Sequence, residues 1–301
     1  MKILVTGGAG FIGSQIVDRY LAAGHEVVIV DNFESGRREN VPAKVRCYAI
    51  SINDNELAEV IKKEKPDLVN HHAAQIDVRK SVEDPATDAT INIVGSLNLL
   101  ECCRRSGVKK VIFASSGGAI YGEQDYYPAD EKHRMEPRSP YGITKLTVEK
   151  YLQSYHWTHG LSFVALRYAN VYGPRQNALG EAGVIAIFTN KLLKGESPII
   201  NGDGEQTRDY VFVDDVVACN LEALKPEVRG IINVGSGIET SVNQIAQELI
   251  RLTGAKVSPQ RGPGKSGEQK RSCLKPGVLQ KGTPTVLATG LAKTVEWFKQ
   301  R

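Results

Sequence analysis

A short apolar strand, Ile3-Leu-Val5, runs straight into Gly7-Gly-Ala-Gly10-Phe-Ile-Gly13 and from there into a helical pattern near 12–23. Few features restrict a chain as much. Glycine at these positions lets the backbone turn tightly and approach a pyrophosphate, and the helix that follows offers free N–H groups and the positive end of its dipole. The next strand, Val27-Val-Ile-Val30, ends in Asp31, eighteen residues beyond Gly13. A carboxylate there accepts hydrogen bonds from an adenosine ribose and repels a 2′-phosphate, which favours NAD over NADP. Arg37 and Arg38 lie close by and weigh the other way.

The alternation continues. Apolar runs at Leu68-Val69, Lys110-Val-Ile-Phe113 and Phe163-Val-Ala-Leu166 are separated by helical patterns near 54–64, 86–106 and 140–158. Such a series predicts an α/β fold, a Rossmann-type doubly wound parallel sheet whose ligands bind at the carboxyl ends of the strands. After about residue 170 glycine, proline and asparagine become frequent and the elements shorten. The expected organisation is an NAD-binding domain over 1–170, with part of 209–235 packed on it, and a smaller, mainly substrate-binding C-terminal lobe over 171–301.

Composition excludes several classes. A net charge of +4 is too weak to argue for nucleic acid or a membrane surface. Five cysteines without a CxxC pair point to reduced thiols, and no apolar run approaches the roughly 18 residues of a membrane span. A soluble cytoplasmic protein is expected. His156 and His159 at helical spacing lack a third ligand, so no metal site is expected. His71-His72 divide between core filling and cofactor contact, and Asp214-Asp215 read as the start of a helix. From Lys256 to Lys281 seven basic residues face one acid, Glu268, in either a solvated loop or an arm that holds phosphates.

Tyr141 and Lys145 stand four apart on a helix that begins after Pro140, so they share a face. A phenol with a pKa of about 10 is a poor base at neutral pH, and an adjacent ammonium favours its phenolate. With the glycine turn upstream, the pair reads as nicotinamide-dependent chemistry on a hydroxyl.

Most of residues 1–250 resembles the nucleotide-sugar epimerases of the extended short-chain dehydrogenase/reductase superfamily. The likeness rests on Val5-Thr-Gly-Gly-Ala-Gly-Phe-Ile-Gly13, Asp31-Asn32, His71-His-Ala-Ala-Gln75, Asn92-Ile-Val-Gly95, Ser115-Ser-Gly-Gly-Ala-Ile-Tyr-Gly122, Ser139-Pro-Tyr-Gly142, Leu166-Arg-Tyr-Ala-Asn-Val-Tyr-Gly-Pro-Arg175 and Gly202-Asp-Gly-Glu-Gln-Thr-Arg-Asp-Tyr210. The resemblance implies NAD as a resident cofactor and C4 epimerisation of a UDP-sugar, UDP-glucose or UDP-galactose, through a 4-keto sugar.

It assigns Tyr141 and Lys145 to catalysis. Gly7, Gly10, Phe11, Ile12, Gly13, Asp31, Asn32, Ser35, Gly36, Ser51, Ile52, Ala73, Ala74, Gln75, Asn92, Ser115 and Tyr168 fall to the cofactor. Gly117, Asn170, Gly183, Val184, Asn201, Arg208, Arg271 and Ser272 fall to the substrate. A homodimer through helices matching 87–106 and 140–158 is also implied.

Two departures matter. The acidic residue used by the family's dehydratases and decarboxylases is replaced by Ala119, which favours epimerisation over elimination. The helper serine or threonine of the epimerases is replaced by Gly117. Tyr141 then acts directly or through water, or Ser115 or Ser116 substitutes; otherwise the protein is a non-catalytic binder of NAD or nucleotide sugar. A related dehydratase or reductase is the enzymatic alternative. Ser272, small where a bulky residue restricts the sugar, leaves room for an N-acetyl group, while Leu274-Lys275 stands where the family tends to have an aspartate.

Overall fold

A computed structural model describes residues 1–178, 183–264 and 269–301. The strands, in chain order, are β1 (Lys2–Thr6), β2 (Glu26–Val30), β3 (Arg46–Tyr48), β4 (Leu68–His71), β5 (Lys110–Ser116), β6 (Ser162–Tyr168), β7 (Asn170–Tyr172), β8 (Ile199–Asn201), β9 (Thr207–Phe212), β10 (Gly230–Val234), β11 (Glu239–Ser241) and β12 (Gln260–Gly262). The helices are α1 (Phe11–Ala22), α2 (Glu56–Glu64), α3 (Val78–Glu83), α4 (Pro85–Ala89), α5 (Gly95–Arg105), α6 (Gly117–Ile120), α7 (Pro140–His159), α8 (Val184–Leu193), α9 (Val213–Glu222), α10 (Val242–Thr253) and α11 (Leu287–Lys299).

Seven strands form one parallel sheet in the order β10-β6-β5-β4-β1-β2-β3. Chain order reverses between β1 and β4, and a crevice opens there at the carboxyl ends of the strands, where doubly wound folds bind ligands. Central strands read as unbroken apolar runs because helices cover both faces. One core cluster joins Ile3, Val5 and Ile16 to Val213, Ile245 and Val295, so the last third of the chain shares a core with the first. A second, with Leu4, Val69, Leu99, Phe113 and Leu152, fills the other face. Among the described residues no helix is long and apolar enough to cross a membrane.

The pattern near 86–106 is not one α-helix. It breaks into α4, a π-helical turn over Thr90–Val94, and α5. The side chain of Asn92 within that turn is tied to Asp88, one turn before it, and to Gln75 and Thr144 on neighbouring segments. A π-turn of this kind marks functional sites.

Helix α7 starts where Ser139 accepts a hydrogen bond from the Gly142 N–H and Pro140 sets the first turn, and it ends at Gly160 in a left-handed conformation. Its anchor to the sheet is an ion pair with almost no solvent exposure. Arg167 at the end of β6 donates through Nε to Glu149 Oε1 at 2.9 Å and through Nη2 to Oε2 at 2.6 Å. Ser115 of β5 donates to the same carboxylate, and Arg167 Nη1 donates to the Tyr121 hydroxyl. Removing one member leaves a buried charge uncompensated, which costs about 3–5 kcal/mol. Glu149→Leu or Arg167→Met alone should therefore lower unfolding stability by about that amount, with the double variant losing less than either. Chemical denaturation of the three variants measures it.

Candidate active site

The crevice is a cavity of about 1020 Å³, at the upper end of the roughly 300–1,000 Å³ typical of small-molecule sites. Its first arm begins at the glycine turn. Gly7 has φ +67, and a β-carbon on it would lie 2.7 Å from the Ala73 amide nitrogen. A β-carbon on Gly13 would meet the Gly7 carbonyl oxygen at 2.2 Å, so the turn, α1 and the end of β4 close together only with glycine. Gly10 caps α1 without a side-chain hydrogen bond, which leaves the first N–H groups for an anion.

Asp31 borders the same arm. It accepts from the Ala9 N–H at 2.9 Å and the Phe33 N–H at 2.8 Å, which fixes the carboxylate beside the turn. Gly36 packs on that carboxylate, since a β-carbon there would lie 2.6 Å from Oδ1. Phe11, Ile12, Asn32, Ser35, Ser51 and Ile52 line the arm, and Ala73, Ala74 and Gln75 continue it. A bare glycine cradle, an uncapped helix end and a fixed carboxylate fit a dinucleotide. Of the expected cofactor residues, Gly36 and Asn92 act from behind the wall, Asn92 by receiving the Gln75 N–H at 2.9 Å and donating to the Gln75 carbonyl at 2.9 Å.

The middle of the cavity holds Tyr141, Lys145, Ser115, Ser116 and Tyr168. The Lys145 ammonium donates to the Ala114 carbonyl at 2.9 Å and lies 5.6 Å from the centroid of the Tyr141 ring and 4.8 Å from that of Phe113. Burial pushes the lysine down to about 8, against the opposing charges of Asp88 and Glu149. The two histidines of β4 divide the readings given to them. His71 is core, bonded to Thr6 and Ser96, whereas His72 lines the cavity and meets the Tyr168 hydroxyl at 3.1 Å. Burial, and then the nearby lysine, hold both imidazoles well below their usual range.

Ser115 and Ser116 differ sharply. The Ser115 hydroxyl is 2.6 Å from Glu149 and committed to it, so that side chain is not presented as a substitute for the missing helper, while Ser116 remains at the wall. Gly117 is not an empty place. A β-carbon on it would lie 2.5 Å from Leu274 Cδ1, and Leu274 is fully buried with Tyr121 and Ala129. The leucine fills the space a serine at 117 would need. Gly142, beside Tyr141, is required by α6: a β-carbon there would lie 2.6 Å from the Ala119 carbonyl oxygen.

The second arm is lined by Asn170, Gly183, Val184 and Arg208. Arg208 Nη1 donates to the Thr207 carbonyl at 2.8 Å. Tyr172, Gln176, Asn177, Gln206 and Tyr210 complete it and were not singled out from the sequence; several lie inside the resembling segments but carry no chemistry that spacing alone exposes. Asn201, Arg271, Ser272 and Gly117 do not line the cavity. Arg271 stacks 3.9 Å from the Tyr127 ring centroid and is forked onto Glu239 at 3.0 and 2.6 Å. Other members of the basic stretch are likewise engaged, Arg261 with the Asp203 carbonyl and Lys281 with Glu222 at 2.8 Å. Lys265 and Glu268 lie outside the described residues. Asp214 and Asp215 open α9, and Asp215 accepts two hydrogen bonds from Thr285.

The model of the NAD dependent epimerase/dehydratase family matches residues 3–235. The UDP-glucose 4-epimerase of Mycolicibacterium smegmatis is 44% identical over 311 residues, covering 100% of this chain and 99% of the relative. The crystal structure of UDP-glucose 4-epimerase from Thermotoga maritima with UDP-glucose superimposes with a TM-score of 0.97 at 46% identity, over 100% of this chain and 99% of that one. The Thermus thermophilus UDP-glucose 4-epimerase complex with NAD gives 0.94 at 42% identity, over 99% of both. Agreement of this extent, along the whole length and in the fold, shows that the chain belongs to the NAD-dependent epimerase/dehydratase family and is an enzyme of the extended short-chain dehydrogenase/reductase type.

Proposed function

We propose that the protein interconverts the C4 epimers of a UDP-sugar. The observation that carries this reading is the place of Tyr141 and Lys145, midway along one continuous cavity between a dinucleotide arm and a second polar arm. Bound NAD, held by the glycine turn, Asp31 and the Ala73–Gln75 wall, supplies a reversible two-electron oxidant that is restored in each cycle. Tyr141 holds and returns the proton of the sugar's C4 hydroxyl, and the Lys145 cation lowers the phenol toward working pH. Arg208, Asn170 and the amide end of α8 at Gly183-Val184 anchor the nucleotide, the arginine as a fork for phosphate oxygens.

The intact Tyr141–Lys145 pair favours catalysis over mere binding, and Ala119 favours epimerisation over elimination. Ala119 supplies no acid for removing water from the ring. With Leu274 behind Gly117 and Ser115 given to Glu149, the phenol of Tyr141 meets the sugar without a neighbouring serine at position 117. A helper hydroxyl contributes on the order of tenfold to a thousandfold, so its loss slows the step and leaves it feasible. Ser272 is buried off the cavity wall, so its small side chain does not itself make room for an N-acetyl group.

A homodimer accompanies this reading. Val82 on α3, Val94 in the π-turn, and Ile143 and Tyr151 on α7 are exposed apolar side chains on neighbouring helices. Ile143→Asp with Tyr151→Asp should convert the protein to a monomer in sedimentation; an unchanged mass refutes this interface.

The purified protein incubated with UDP-galactose should yield UDP-glucose, with the N-acetylated pair assayed beside it. Tyr141→Phe should retain NAD and lose at least a hundredfold in turnover. Bound NAD without any C4 interconversion of either pair would sink the epimerase reading, and a near-normal rate in Tyr141→Phe would sink the assigned base.

Lys145 also predicts a pH dependence. In the unfolded chain a lysine titrates at about 10.4, and in the NAD-free folded protein Lys145 titrates at about 8. Between those values the unfolded state binds more protons, so stability rises with pH. The rise from pH 7.5 to 9.5 should be on the order of 2 kcal/mol smaller in Lys145→Met than in the parent, as measured by denaturant unfolding. Parallel pH dependences would show that the lysine is not held down.

A further inference from the structure

Asp88, at the cavity wall, has no assigned part in the site. Its side chain has no solvent exposure, and it follows Pro85 in α4, directly before the π-turn. Oδ1 accepts from the Gln75 side-chain amide at 2.8 Å and from the Asn92 amide at 3.0 Å, and Oδ2 lies 3.2 Å from the Thr144 hydroxyl, whose single proton is shared with the Tyr141 carbonyl at 2.9 Å. These three donors belong to three walls of the site. Gln75 is in the segment after β4 that lines the cofactor arm, Asn92 is in the π-turn, and Thr144 precedes Lys145 on α7. All three are neutral.

A buried carboxylate surrounded by neutral donors keeps its negative charge available to a nearby cation. The charged and titratable groups whose fields act on Lys145 are Asp88 from α4 (which lines the same cavity and contacts Thr144, the residue before the lysine), Glu149 and Tyr141 from α7, and His71 and His72 from β4. Both histidines are neutral. Glu149 is consumed by the two-point contact with Arg167 and by Ser115. That leaves an asymmetry: one carboxylate near the lysine already has a cation, and the other has none among its hydrogen-bond partners. The lysine itself makes a hydrogen bond to a backbone carbonyl.

We propose that Asp88 is a positioning residue for the Tyr141–Lys145 pair, joining Gln75, Asn92 and Thr144 through one buried carboxylate and supplying the counter-charge that keeps the Lys145 ammonium protonated. The proposal deepens the catalytic reading of Lys145 and rests on it for its consequence in turnover. The placement of the charge stands apart from that reading. The π-turn follows from the same arrangement, since it swings Asn92 inward to share Asp88 with Gln75.

The test is a titration of NAD-free protein carrying ¹³Cε-labelled lysine, with the Lys145 resonance assigned by its loss in Lys145→Met. The parent should titrate near 8. Asp88→Asn, which keeps the shape and removes the charge, should lower that midpoint by about one unit or more. Asp88→Glu, which keeps the charge on a longer stem, should restore most of it while turnover stays reduced. The alkaline limb of the pH–rate profile in Asp88→Asn should move to lower pH by the same interval. An unchanged Lys145 midpoint in Asp88→Asn overturns the proposal, whatever happens to turnover. If Asp88→Asn does not fold, the parent serves: its Asp88 carboxyl carbon should show a step at the pH where Lys145 ionises, and absence of that step overturns the proposal equally. Neither titration uses a sugar substrate, so a failure here is separable from a failure of the epimerase reading.

Discussion

The buried contact between Arg167 and Glu149 is what the active site hangs on. Both groups are taken out of water, at a cost that only close geometry and full hydrogen bonding offset. Ser115, Tyr121 and the Met135 sulfur complete that set from β5, the loop after it and the segment before α7. The pair therefore fixes the rotation and height of α7 against β5 and β6. Lys145 lies one turn from Glu149 and Tyr141 one turn further, so an anchor outside the chemistry aims both.

Close packing of small residues does the rest of the positioning. Gly7 against Ala73, Gly13 against Gly7, and Gly142 against Ala119 all stand at distances that no β-carbon tolerates. These contacts draw the first turn, the end of β4 and the start of α7 around one crevice. Gly117 differs in that its close partner is a side chain: the methyl end of Leu274, from a segment 157 positions later, occupies the volume and would have to shift for a larger residue. The glycine is thus part of a packing solution shared between distant segments.

Electrostatics divides the charges in and around the site into committed and uncommitted. Arg271 is held by Glu239 and Tyr127, and Arg167 by Glu149, whereas Asp88 has neutral donors alone as its hydrogen-bond partners. Ion pairs at the exposed rim, such as Lys281 with Glu222, add little to stability. Buried ones decide which side chains remain available to a ligand.

Local pattern was enough to read the doubly wound sheet, the glycine turn with Asp31, and the shared face of Tyr141 and Lys145. Each depends on spacing along one strand or helix, and spacing is what a sequence contains. The π-turn at Asn92 depends on partners far away in the chain. So do the commitment of Ser115 to Glu149, the parting of His71 from His72, and the withdrawal of Arg271 from the cavity wall. Residue types named the groups able to do chemistry; tertiary packing chose among them, because burial and the nearest partner determine whether a hydroxyl or a charge is free to act.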